Sequence, residues 1–176
     1  MPCEQHGDMA ICSSGSMYEL KNDIKPFAIM SIKPEYAEKI LSGEKQWEFR
    51  KRSMKNILFM DILLYATSPI QKIVGEISFD GELYGNPSIV WHATEDQAGI
   101  SDITYDRYYG WRDYHAWEST IAYAAYIDST KVMSRDGSTL KQIRKKLTNY
   151  PNWMPPRSWI GLPGQSKLKN VFLGKR

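Results

Sequence analysis

Apolar residues recur at three- and four-residue spacing through Tyr36, Ala37, Ile40 and Leu41, the pattern that gathers side chains on one face of a helix. Pro34 suits the first helical position, where its missing N–H would have had no helical partner. Gly43 stands where a helix turns left-handed and stops. Before this helix, Phe27 to Ile32 (FAIMSI) is a short apolar run that predicts a strand. After it, Lys45 to Arg50 alternates, with Lys45, Trp47 and Phe49 on one side and Gln46, Glu48 and Arg50 on the other. Asp61 to Ala66 (DILLYA) is nearly continuously apolar, as in a strand buried on both faces. Lys72 to Phe79 (KIVGEISF) follows the turn signal Ser68–Pro69, and Ile73, Ile77 and Phe79 share a face interrupted by Gly75.

Further along, Asn86–Pro87 forms a cap and first-turn pair that opens a helix to about Gln97. A second short helix is predicted from Ser101 to Tyr109, closed by Gly110, and strand character returns from Glu118 to Ile127. Ser138 is expected to cap a third helix with Leu140, Ile143 and Leu147 inward and Arg144, Lys145 and Lys146 outward. Tyr150 to Pro163 is aromatic and proline-rich with little regular pattern. Residues 1–25 are polar and aperiodic, and are expected to form a flexible arm. Residues 26–165 then make one domain, and residues 166–176 a basic tail or a last strand around Val171 to Leu173. Four or five strands with short helices between them predict an α+β fold, a small mixed sheet or closed barrel.

Composition narrows the function. The 176 residues are 42% hydrophobic and 24% charged, an ordinary globular balance. The net charge of +3 does not by itself imply nucleic-acid binding, so the local distribution of charge decides. Cys3 and Cys12 fall in the polar arm, which argues for a reducing, cytoplasmic setting without disulfides. Cys3, His6 and Cys12 lack a fourth ligand at zinc spacing, so no metal is expected. A secretory signal, a membrane span, a Walker loop, a dinucleotide fingerprint and an HExxH helix are all absent from the sequence, and no cofactor is expected.

Charge concentrates in one place. Lys45, Glu48, Arg50, Lys51 and Arg52 crowd around Trp47 and Phe49, five charges in eight residues. A charged strand gains little from burial, so these groups either blunt a solvated edge or meet a ligand. Arg50 can donate to a phosphate or base edge through two N–H groups at once. A desolvated Lys45 beside Glu48 could do acid–base work. Trp91, Tyr108, Tyr109, Trp111, Trp153 and Trp159 lie in loops or at element ends, where rings can stack on unpaired bases or cap the core. Trp153 and Trp159 flank Arg157 and Ser158 and are favoured as cleft residues.

The run IMSIKPEYAEKILSGEKQWEFRKR resembles the opening of ASCH domains, members of the PUA-like superfamily, whose signature G-x-K-x-x-E-x-R is met at Gly43, Lys45, Glu48 and Arg50. YATSPIQKIVGEI is similar to that family's next two strands, and MPPRSWIGL to its closing segment, so the resemblance spans about Phe27 to Leu162. It implies a PUA-like small mixed β-barrel flanked by short helices, with a cleft between the barrel and the first helix that binds RNA or a modified nucleotide or nucleoside. In that cleft Lys33 would line the rim, and Lys45, Arg50 and Arg52 would contact phosphate or base. Glu48 would orient them, while Trp153, Arg157, Ser158 and Trp159 would supply the opposite wall. Some small members of the family are N4-acetylcytidine amidohydrolases, with a threonine nucleophile three residues after the lysine, and ribonucleases also occur. This chain carries Glu48 at the threonine position. Lys45 and Glu48 are therefore catalytic candidates only if the protein is an enzyme, and binding is favoured over catalysis. A protein-interaction module using the aromatic surface is the remaining option.

Overall fold

The computed structural model describes residues 24–110 and 120–175, together with the backbone of three short N-terminal strands. Those strands, β1 (Cys3–His6), β2 (Met9–Cys12) and β3 (Met17–Glu19), pair in order as an antiparallel meander. They fall within the residues expected to be an arm.

Two sheets build the body of the protein. The five-stranded sheet has the order β10-β7-β6-β4-β11, from Met133–Ser134, Lys72–Ile77, Asp61–Ala66, Phe27–Ile32 and Trp159–Leu162. β4 and β6 run parallel, and the other pairs are antiparallel. The three-stranded sheet has the order β5-β9-β8, from Trp47–Arg50, Ala122–Ile127 and Phe79–Gly85. Only Ser78 separates β7 from β8, so the chain passes directly from one sheet to the other. Among the described residues there are five helices: α1 (Pro34–Leu41), α2 (Pro87–Thr94), α3 (Asp102–Tyr109), α4 (Leu140–Lys146) and α5 (Ser166–Leu173).

The alternation of strand side chains sorts the apolar residues into three layers. Met30, Ile62 and Leu64 of the larger sheet meet Phe79, Ala125 and Ile127 of the smaller, with Ile40 of α1 and Met54 closing the space between. The opposite sides of the same strands, Phe27, Ile29, Leu63 and Tyr65, pack under Ile143 of α4 and Phe172 of α5. Phe49, Ala122 and Ala124 pack against Val90, Trp91, Tyr105 and Tyr109 of α2 and α3. β4 and β6 are thus buried on both faces, as the unbroken runs FAIMSI and DILLYA require.

The α+β class holds, as do most element positions. Pro34 occupies the start of α1, and Gly43 follows it with φ +83. The Asn86 side chain accepts from the Ser88 N–H, and the Ser101 side chain from that of Thr104, capping α2 and α3. Four expectations change. The third predicted helix is capped by Thr139, reciprocally with Gln142, while the Ser138 hydroxyl donates to the Val171 carbonyl at 2.6 Å. The basic tail forms α5 instead of a strand, because Leu168 and Phe172, four residues apart, reach the same core. β8 extends well past Phe79 through a glycine-rich, charged segment with little strand propensity. The proline-rich segment contributes the edge strand β11, paired with β4.

Candidate functional site

The charged strand is held at its start by the helix before it. The Lys45 N–H donates to the Lys39 carbonyl at 2.9 Å, and the Gln46 N–H to that of Gln97 at 2.8 Å. These bonds turn the Lys45 side chain inward, where it is 2% exposed. Its ammonium donates to the carbonyls of Trp47 (2.5 Å) and Ala98 (3.0 Å) and lies 3.7 Å from Glu48 Oε2. The Phe49 ring centroid is 4.8 Å away. Gly99, at φ +63, makes this burial possible: a Cβ there would stand 2.4 Å from Lys45 Cβ. Burial pushes the Lys45 pKa below its ordinary value, against the attraction of Glu48, because the charged form loses its hydration.

Glu48 meets two cations. Its Oε1 lies 2.9 Å from Arg50 Nη2, while Oε2 faces Lys45. Arg50 reaches across to the other sheet, with Nη2 donating to the Ser31 carbonyl at 3.0 Å and Nη1 to the Ser158 hydroxyl at 3.4 Å. The Ser31 N–H in turn donates to the Ser158 carbonyl at 2.9 Å. Two buried polar atoms at this junction, Ser31 Oγ and Arg50 Nε, have no hydrogen-bond partner among the described residues. Buried polar atoms are nearly always paired, so this couple, beside an opening, leaves the contact between the two sheets incompletely satisfied.

The opening is a cleft of about 560 Å³, within the range of small-ligand sites. Lys45, Glu48 and Arg50 form its floor, with Ser31 and Thr67 beside them. Lys33, Glu35 and Tyr36 of the α1 start make one wall, and Thr104, Arg107 and Tyr108 of α3 another, with Arg157 at the mouth. Lys33 lies 3.9 Å from Glu35, while Arg107 and Arg157 have no ion-pair partner among the described residues. Burial raises the phenol pKa values of Tyr36 and Tyr108, so both rings are neutral at physiological pH. The cleft therefore combines free guanidinium groups, neutral rings and an ion-paired floor.

The structure brings together Lys33, Lys45, Glu48, Arg50 and Arg157 in this cleft, with Ser158 behind Arg50. It separates the other expected residues. Trp153 packs on Phe172, with ring centroids 5.4 Å apart, in the layer under α5, because its ring completes an apolar layer there. Trp159 sits opposite Met30 on β11 and packs against the core between the sheets. Arg52 is exposed outside the cleft. Trp91 and Tyr109 belong to the core beneath α2 and α3, while Trp111 lies outside the described residues. Sequence reasoning missed Ser31 and Arg107. Ser31 is hidden in an apolar strand, and Arg107 sits on a helix whose neighbour in space is far away in sequence. No group of three or more potential metal ligands occurs among the described residues, and no described helix is long and apolar enough to cross a membrane.

A model of the ASCH domain matches residues 30–168. An ASCH domain-containing ribonuclease from Zymomonas mobilis is 30% identical over 148 residues, 83% of this chain and 90% of that protein. Large ribosomal subunit protein uL22 of Ureaplasma parvum is 34% identical over 97 residues, 54% of this chain and 31% of its own length. Among solved structures, ASCH from Zymomonas mobilis superimposes with a TM-score of 0.68 at 24% identity, over 84% of this chain and 93% of that one. The N-terminal domain of Staphylothermus marinus McrB gives 0.51 at 12% identity, over 85% and 94%. The signature at Gly43, Lys45, Glu48 and Arg50 and the match across most of its length agree: the chain belongs to the ASCH domain family.

Proposed function

We propose that the protein binds single-stranded RNA, with one nucleotide, modified or unmodified, seated in the cleft between α1 and α3. The observation that carries this reading is the cleft itself, where an ion-paired floor of Lys45, Glu48 and Arg50 adjoins the rings of Tyr36 and Tyr108 and the guanidinium groups of Arg107 and Arg157. Tyr36 and Tyr108 offer rings for stacking, and Arg107 and Arg157, without ion-pair partners among the described residues, can meet phosphate. The ribonuclease name of the Zymomonas relative supports RNA as the ligand class. A cytoplasmic setting, where single-stranded RNA is abundant, suits this reading.

Binding is measured by fluorescence anisotropy with short labelled RNA across a salt series. Affinity is expected to fall as salt rises, because each neutralised phosphate releases counterions. The double variant Arg107→Ala/Arg157→Ala is expected to flatten that slope by about one to two units. An unchanged slope, or no binding at low salt, removes the reading.

Cleavage of RNA is the second reading, favoured by the lowered pKa of Lys45 beside Glu48. Glu48 would take the proton of a ribose 2′-hydroxyl as its oxygen attacks the adjacent phosphorus, and Arg50 would face the developing charge. The Lys45 ammonium would give the departing 5′-oxygen its proton, and a cyclic phosphate remains. The expected result is product from labelled RNA with wild type but not with Glu48→Gln. Equal amounts from both proteins would reject this chemistry. Deacetylation of N4-acetylcytidine fits the site less well, because Glu48 stands where that reaction needs a hydroxyl nucleophile.

A further inference from the structure

The three-stranded sheet carries a second feature on the same face as Glu48 and Arg50. Its register sets Arg50 of β5 opposite Tyr123 of β9, and Tyr123 opposite Tyr84 of β8. Residues opposite one another in an antiparallel pair share a face, so Arg50, Tyr123 and Tyr84 form one cross-strand row. At the usual strand spacing the row extends about 10 Å outward from the cleft floor. Tyr123 and Tyr84 stack, with ring centroids 6.0 Å apart and planes inclined by 24°. Tyr84 is nevertheless 67% exposed, although a ring retained for packing gains its energy from burial.

Positive charge accompanies the row. After Arg50 the chain turns, and Ser53 Oγ donates to Glu82 Oε2 at 2.6 Å, two residues before Tyr84 on β8. Arg52, exposed and outside the cleft, directly precedes Ser53 in this turn. Lys51, the residue after Arg50, stands over the Tyr108 ring at 5.1 Å.

We propose that Tyr84 and Tyr123, with Arg52, form a second nucleotide subsite that stacks a base two or more nucleotides along the strand from the one in the cleft, so that the protein follows a single RNA strand from Tyr108 across Arg50 to Tyr84. The proposal rests on the RNA reading of the cleft and extends its footprint. Stacking on tyrosine accepts any base, since every base has a π-face, so this subsite adds affinity for length more than for sequence.

Calorimetric titration of wild type, Tyr84→Ala and Tyr84→Phe with a uridine dinucleotide and a uridine hexanucleotide tests it. Tyr84 is exposed, so its substitution leaves the fold intact, and thermal unfolding of each variant verifies this. Tyr84→Ala is expected to weaken the hexamer roughly five- to thirty-fold, as loss of one stacked base implies. The dinucleotide should be unaffected, and Tyr84→Phe should bind both as wild type does. Unchanged hexamer affinity in Tyr84→Ala, or equal losses for both oligonucleotides, overturns the subsite. The cleft is tested separately by Arg107→Ala/Arg157→Ala with the dinucleotide. If that variant loses the dinucleotide while Tyr84→Ala keeps the hexamer, the subsite alone is wrong. If dinucleotide affinity is unchanged in that variant, or wild type binds neither oligonucleotide, both readings fall.

Discussion

Gly99 and Gly43 share a left-handed backbone but face different surroundings. A side chain at Gly43 would meet nothing within 4 Å, whereas one at Gly99 would press into the backbone and Cβ of Lys45. Gly43→Ala should therefore cost only the backbone term, about 1–2 kcal/mol in denaturant unfolding. Gly99→Ala should cost more than Gly43→Ala and, by displacing the buried ammonium, also weaken RNA binding. Equal effects of the two substitutions on binding would show that the position of Lys45 is immaterial to the ligand. Sequence alone marked Gly43 as the stop after a helix and gave no role to Gly99. It could not reveal that Gly99 shapes the site, because the contact with Lys45 joins residues far apart in the chain. The same reason hid Ser31. The G-x-K-x-x-E-x-R spacing, in contrast, exposed Lys45, Glu48 and Arg50, because neighbouring positions in one turn and strand carry all three.

Among the elements, legibility followed the strength of the apolar pattern. The two central strands and α1 to α4 announced themselves by burial on both faces or by caps, with β11 and α5 as the contrasting cases. β11 is built from Trp159, Ile160, Gly161 and Leu162 after two prolines, and only its pairing with β4 makes it a strand. The C-terminal residues read as a basic tail or a last strand around Val171 to Leu173, and Phe172 docking under the large sheet makes them a helix instead. The pair α2 and α3 has a chemical consequence of its own. Tyr105, fully buried, donates its hydroxyl to the Pro87 carbonyl at 2.9 Å, and Tyr109 donates to the Arg50 carbonyl at 2.7 Å. Burial raises both phenols above their ordinary value near 10. Above about pH 10 the unfolded chain would thus release these protons first, so stability is expected to decline as pH rises past that point. Tyr105→Phe should lose about 1 kcal/mol at neutral pH with its hydrogen bond, yet show a shallower alkaline decline. An identical decline in Tyr105→Phe, followed by circular dichroism melts at several pH values, would exclude this origin.

At the scale of the whole molecule, ion pairs tie the outer elements to the large sheet. Glu76 of β7, 4% exposed, receives Arg135 through Nε (3.0 Å) and Nη2 (2.6 Å), and Lys169 of α5 at 2.6 Å. Lys169 also pairs with Asp61 of β6 at 2.6 Å. Glu76→Ala would leave two cations without their shared carboxylate and is expected to destabilise the fold by about 3 kcal/mol in chemical denaturation. It should also make the C-terminal helix more open to proteolysis. A loss no larger than that of an exposed Asp136→Ala substitution would show that the network contributes nothing.

Arg50 joins the molecule in a different way. It belongs to the small sheet, yet its guanidinium grips the Ser31 carbonyl of the large one and the Ser158 hydroxyl beside it. Separation of the two sheets would break these same contacts at the cleft floor. A ligand seated on Arg50 would act as a rivet, slowing amide hydrogen exchange in β4 and β5 together and leaving that of α4 and α5 unchanged. The occupied site would then be legible in the protein's fluctuations even where its average shape did not move.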